Sequence, residues 1–212
     1  MPMKNDREYR DFQVEVVRAN EDEDPGMVVR GYASTYGNAY VLYSDNDYEI
    51  REVMESTAFD DTDMSDVIMQ YNHEGRVFAR VSNGTLSVQS EEEGLAIEAD
   101  LGGTELGRQL YEEIDGGYTN KMSVGMKVDR SKDVWVREEL DGKTIETRQI
   151  YRVEKLYDVS AVSIPANDAT SISVRALVDG EIEKLRAERL EAERVELERR
   201  RAEVRAKALI GG

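Results

Sequence analysis

The 212 residues, 40% hydrophobic and 34% charged, suffice for one sizeable domain and an appendage but not for two ordinary domains. Cysteine is absent, which excludes disulfides, cysteine nucleophiles and thiolate metal sites and favours assembly inside a cell. The net charge of −17 is uneven: nine Lys or Arg against eight Glu leave residues 180–212 at +1 and the remainder at −18, which argues against nucleic acid as a partner because that binding relies on cations.

Residues 1–10 read as a polar, frayed start without the apolar core of a signal peptide. Phe12, Val14 and Val16 alternate as in a half-buried strand, ended by the turn-forming residues 20–26. A second strand is expected over residues 27–36, with a bulge at Gly31. A polar loop over 37–48 and an extended piece over 48–53 follow, then a short helical turn over 55–59. The apolar residues 67–71 run into Asn72, His73, Glu74 and Gly75. Residues 77–81, 85–88 and 95–101 continue a meander of short antiparallel strands.

The first good helix is expected at 104–115, with Thr104 as N-cap, Leu106, Leu110 and Ile114 on one face, and Gly116-Gly117 as terminator. It leads into the strand Lys121-Met122-Ser123-Val124-Gly125-Met126. Residues 134–139 and 144–153, joined by Asp141-Gly142, predict a hairpin extending that strand, and a last strand runs over 155–164 to Pro165-Ala166-Asn167. Residues 181–209 hold neither Gly nor Pro and carry many opposite charges three or four apart. Their apolar positions keep no steady heptad, so a long, mostly exposed helical arm is expected rather than a coiled coil. No apolar run nears the roughly 20 residues of a membrane span, and no membrane partner is expected.

Ser123 is the candidate nucleophile. A serine hydroxyl needs a base to take its proton, usually an imidazole, and His73 is the one histidine in the chain. Asp158 lies in Leu-Tyr-Asp-Val-Ser-Ala-Val, where a carboxylate among apolar neighbours needs a donor such as an imidazole N–H. Each residue also has a plainer reading, as a strand-end histidine, a strand serine rivalled by Ser160 and Ser163, and a solvent-facing aspartate. There is no Gly-x-Ser-x-Gly elbow, phosphate-binding glycine loop or His-Glu-x-x-His motif. Residues alone give a β-rich domain with a helical tail.

Several stretches taken together resemble the prohead proteases of tailed bacteriophages: Arg30-Gly31-Tyr32-Ala33-Ser34, Asn72-His73, Glu93-Gly94-Leu95, Met122-Ser123-Val124-Gly125, and the strand from Leu156 through Asp158 to Pro165-Ala166-Asn167. The resemblance covers about residues 28–167. That family is similar to the herpesvirus assemblins, which implies an α+β fold: an antiparallel β-barrel wrapped by a few helices. Here a protease domain over 1–179 would precede a charged helical arm over 180–212. The resemblance implies Ser123 as nucleophile, His73 as general base and then acid, and Asp158 as the orienting acid. The family often has Glu where Asp158 stands, and Asp after the histidine where this chain has Glu74, so Glu74 and Glu154 stay open as third members.

The implied activity is a serine endopeptidase of capsid maturation, acting inside the procapsid in the host cytoplasm. Its partners would be the scaffold protein and the major capsid protein with its scaffolding arm, and it would also cut itself. Residues 208–212 offer a conjectural junction for that cut, and the helical arm a means of docking on helical scaffold segments. No cofactor is implied, and the herpesvirus relatives admit a homodimer. Two other function classes compete: a catalytically inactive scaffolding or capsid-associated protein, and a metal-dependent hydrolase using an all-oxygen carboxylate site.

Overall fold

The computed structural model of the protein describes residues 7–12, 17–18, 26–163 and 172–210. Among these, thirteen strands and two α-helices form. The chain runs β1 (Glu8–Phe12), β2 (Val17–Arg18), β3 (Val28–Thr35), β4 (Ala39–Ser44), β5 (Tyr48–Met54), β6 (Ile68–Tyr71), β7 (Glu74–Arg80), β8 (Leu86–Ser90) and β9 (Gly94–Asp100). Then come α1 (Glu105–Asp115), β10 (Lys121–Val128), β11 (Val134–Leu140), β12 (Lys143–Ile150), β13 (Val153–Val162) and α2 (Ile172–Ile210). The chain divides into two compact units, Met1–Val174 and Arg175–Gly212. No described helix is long and apolar enough to cross a membrane.

The strands make three sheets, ordered β1-β10-β13-β6-β7, β11-β12-β5-β4 and β2-β3-β9-β8. The protein is therefore mostly β-sheet with two helices, and no pairing among the described residues closes it into a barrel. Nor is it antiparallel throughout. β13 lies parallel to β6, with Asp158 opposite Ile68 and Ala161 opposite Tyr71, and β12 lies parallel to β5. Tight turns impose antiparallel pairing on β4–β5 and β6–β7. The free edges of β5 and β6 then receive strands from about 90 residues away, where no turn dictates direction.

The apolar alternations become one core. Met122, Val124 and Met126 of β10, Leu156 and Val159 of β13, Met69 of β6, Leu95 and Ile97 of β9, and Leu110 and Ile114 of α1 share it. Thr104 caps α1, its Oγ1 accepting from the Gly107 N–H at 2.9 Å, whereas Leu106, expected on the buried face, is exposed.

Four local expectations are corrected. Residues 39–44, expected in a loop, are a strand, because Tyr40, Val41 and Tyr43 favour extended backbone and Asp45 closes the turn to β5 by accepting from the N–H groups of Asp47 and Tyr48. The irregularity in β3 falls between Tyr32 and Ser34, not at Gly31; the glycine demanded there is Gly94, where a Cβ would sit 2.1 Å from the Ser34 carbonyl oxygen. The β11–β12 hairpin, with both turn residues Asp141 and Gly142 at positive φ, lies in the second sheet and does not extend β10. Helix α2 begins at Ile172 and runs through Gly180, since one helical glycine costs only about 1 kcal/mol. Pro165-Ala166-Asn167 lie outside the described residues, as do Gly211 and Gly212 at the end of the conjectured junction.

Candidate active site

Three distant segments meet on the first sheet. Ser123 stands on β10 and Asp158 on its neighbour β13, both fully buried. His73 is the second central residue of the two-residue turn joining β6 to β7, with Tyr71 opposite Glu74. Asn72 and His73 both have positive φ, 51° and 59°, the backbone of a type I′ turn, whose twist suits a hairpin. Asparagine tolerates that conformation well, and histidine is among the side chains enriched in it. The turn is tied down: Asn72 N–H donates to the Ala161 carbonyl at 3.0 Å, and the Ser163 N–H donates to Asn72 Oδ1 at 3.1 Å.

The imidazole lies between the other two groups. Nε2 is 2.6 Å from Ser123 Oγ and Nδ1 is 2.5 Å from Asp158 Oδ1. Of the three acidic candidates, Asp158 is the one bonded to His73. Glu154 pairs with Lys127 at 2.6 Å, and Glu74 is exposed. The rival serines take supporting places, Ser160 donating to Asp158 Oδ1 at 3.0 Å and Ser163 meeting Asn72. The glycine of Ser-Val-Gly has a steric reason, because Gly125 sits opposite Asp158 and a Cβ there would lie 2.1 Å from Asp158 Oδ2. A hydroxyl, an imidazole and a carboxylate in this order can pass a proton from oxygen to ring nitrogen while the carboxylate holds the tautomer.

These contacts come from a chain with a recognisable family. The family model for the caudovirus prohead serine proteases matches residues 14–184 of the 212. The chain belongs to that family. Membership makes it one of the prohead serine proteases, and the matched stretch contains Ser123, His73 and Asp158. No curated protein matches the chain, and no solved structure does.

The sequence reading missed what surrounds the site. Residues 8–10, expected in a frayed start, join Asp11 and Phe12 of the expected strand to form β1, which pairs with β10 from Glu8 opposite Met126 to Phe12 opposite Met122. Glu8 and Arg10, on one face of β1, are each only 2% exposed. The Arg10 guanidinium grips Glu52 with Nε and Nη2 and meets Glu8 at 2.6 Å. Arg148 adds a bond to Glu52 at 2.7 Å and one to Asp133 at 2.6 Å. Burial pushes the Glu8 carboxyl up, but Arg10, Arg148 and Arg130 outweigh it and bring the pKa down to about 2. Glu52 is likewise lowered, against its burial, chiefly by Arg10. A signal was present: Glu52 occupies an inward position between Ile50 and Met54, and a charge there demands an opposite charge.

Proposed function

We propose that the protein is the serine endopeptidase of procapsid maturation, with Ser123 as nucleophile, His73 as general base and acid, and Asp158 as the orienting carboxylate. The observation carrying this reading is the unbroken run of short contacts from Ser123 Oγ through His73 to Asp158 Oδ1 in a member of the prohead serine protease family. Ser123 Oγ attacks the scissile carbonyl carbon while its proton passes to His73 Nε2. The tetrahedral intermediate collapses, the peptide C–N bond breaks, and His73 returns the proton to the departing amine. Water, deprotonated by the same nitrogen, releases the acyl group and restores the serine.

The proposed substrates are the scaffold protein or the scaffolding arm of the major capsid protein, met inside the procapsid, and the enzyme's own chain. The proposal extends to an assemblin-like barrel for the protease domain over 1–179, a homodimer, and docking of the arm over 180–212 on helical scaffold segments. That arm carries +1 against −18 for the rest, so it adds little to the repulsion between acidic neighbours.

The alternative of an inactive scaffolding protein has one observation in its favour, the complete burial of Ser123. A carboxylate-held metal hydrolase has less, since no group of three or more His, Asp or Glu among the described residues is placed to hold a metal. The test is co-expression of wild type or Ser123→Ala with the capsid and scaffold proteins, following all chain masses over time. Cleavage with wild type that disappears in the variant, a loss of about a million-fold in rate, supports the protease. Intact chains in both favour the scaffold reading, and equal cleavage places the nucleophile elsewhere.

A further inference from the structure

We propose that the edge of β10 beside Ser123 is where the substrate peptide adds as an antiparallel strand, that β1 is its resident occupant here, and that the site takes an arginine at the residue whose carbonyl reaches Ser123. The proposal rests on the reading of Ser123 as nucleophile.

β1 and Arg7, the residue before it, cover all three groups. The Arg10 carbonyl oxygen accepts from Ser123 Oγ at 2.9 Å. The Tyr9 ring packs on His73 with centroids 4.3 Å apart. The Arg7 guanidinium, stacked over Tyr157, lies 3.7 Å from Asp158 Oδ2. Ser123 is consequently sealed, and two surface cavities, one lined by Arg30, Tyr32 and Gln89, the other by Thr57, Lys132 and Tyr151, include none of the three groups. The family match starts at residue 14, so the covering strand lies outside the stretch shared with the family.

The contact also blocks chemistry. A hydroxyl has one proton, yet Ser123 Oγ has two neighbours able to accept it, His73 Nε2 and the Arg10 carbonyl. While the carbonyl holds the proton, the base cannot take it. The carbonyl meets the nucleophile through its oxygen rather than its carbon, so β1 is held there without being attacked. Main-chain pairing along an exposed strand edge is a general way to bind extended peptides, and β1, with β10 as its one partner in the sheet among the described residues, shows the register such a peptide would take.

The preference for arginine follows from what β1 would leave behind. Glu52 belongs to β5, is fully buried, and takes two bonds from Arg10. With β1 displaced it keeps Arg148 and Tyr40 but loses its forked partner, and a peptide arginine restores a charge-assisted pair in the same place.

The test uses the full chain, which has no cysteine of its own. Phe12→Cys with Met122→Cys places thiols at opposed positions of the β1–β10 ladder, so oxidation locks β1 and reduction frees it in one protein that is its own folding control. A fluorophosphonate reports Ser123, with Ser123→Ala as blank. The proposal expects labelling of the reduced form at least tenfold faster than of the oxidised form; equal rates overturn it. Full-length Arg7→Ala/Tyr9→Ala, with β1 loosened, should label faster than wild type, and no acceleration counts against the resident strand. The free hexapeptide of residues 7–12 should slow labelling of that variant at least tenfold more than the same peptide with alanine at Arg10, and equal inhibition refutes the arginine site. Absence of labelling in every form, wild type included, removes the nucleophile reading itself and this proposal with it.

Discussion

Glu52 and Asp158 are both fully buried carboxylates on sheet strands close to β1, and they are satisfied to different degrees. Glu52 receives Arg10 on both oxygens, Arg148 on one and the Tyr40 hydroxyl on the other. Asp158 offers Oδ1 to His73 and Ser160, while Oδ2 has no hydrogen bond among the described residues and faces only the Arg7 cation, 3.7 Å away. A carboxylate saturated by cations is locked as a structural group. One whose strongest partner is an imidazole can strengthen that bond when the ring gains a proton, as an orienting acid must. The same chemical group is thus a fastener in one place and a responsive element in the other.

The largest effect should come from unmaking the responsive one. Asp158→Asn keeps size and burial but offers an amide to His73, and peptidase turnover should fall about 10⁴-fold with little change in melting temperature. A variant that keeps its turnover would refute the role of Asp158. The fastener should answer in the opposite currency: Arg148→Ala removes the one cation that Glu52, Glu8 and Asp133 have in common, leaving Arg10 to Glu52 and Glu8 alone, and should cost about 3–5 kcal/mol of stability, a fall in melting point on the order of 10 °C.

Acid should loosen the same fastener more gently. The Glu8 pKa lies at about 2 in the folded protein against an ordinary 4.5, and Glu52 is also lowered, so the folded state binds fewer protons than the unfolded. The stability they contribute is complete above about 4.5 and is lost as pH falls towards 2. Asp133, raised by its burial, acts in the opposite sense. Urea midpoints should drop through that window, and Glu8→Gln should flatten the drop. The smallest effect belongs to Ser160→Ala, which removes one of the two bonds to Asp158 Oδ1; about 1 kcal/mol, or up to about tenfold in turnover, is expected from steady-state assays.

The site was more legible in the sequence than the scaffold that holds it. A single histidine, Ser-Val-Gly and an aspartate in an apolar strand marked Ser123, His73 and Asp158 as candidates, because each breaks an otherwise apolar pattern, but it took the resemblance to the prohead proteases to group them, and Glu74 and Glu154 stayed open as third members. Helix α1 was legible through Thr104 and its period. β1 was not, because its inward face consists of charges that become buried only by meeting Glu52 and Arg148, 42 and 138 positions away from Arg10 in the chain. The parallel pairings of β6 with β13 and β5 with β12 were illegible for a related reason: alternation tells which residues face inward but not which distant strand will lie alongside.

The two-residue turn at Asn72 and His73 also sets a clock. Its histidine finds Asp158 only after β6 has paired with β13, 85 positions further on, and such long closures come late in folding. As the chain is synthesised from its N-terminus, Asp158 emerges well after His73 and Ser123. With the roles proposed above, peptidase activity has to wait for synthesis through β13, and a ribosome-bound chain halted before that strand should be inert however well its earlier sheets have formed.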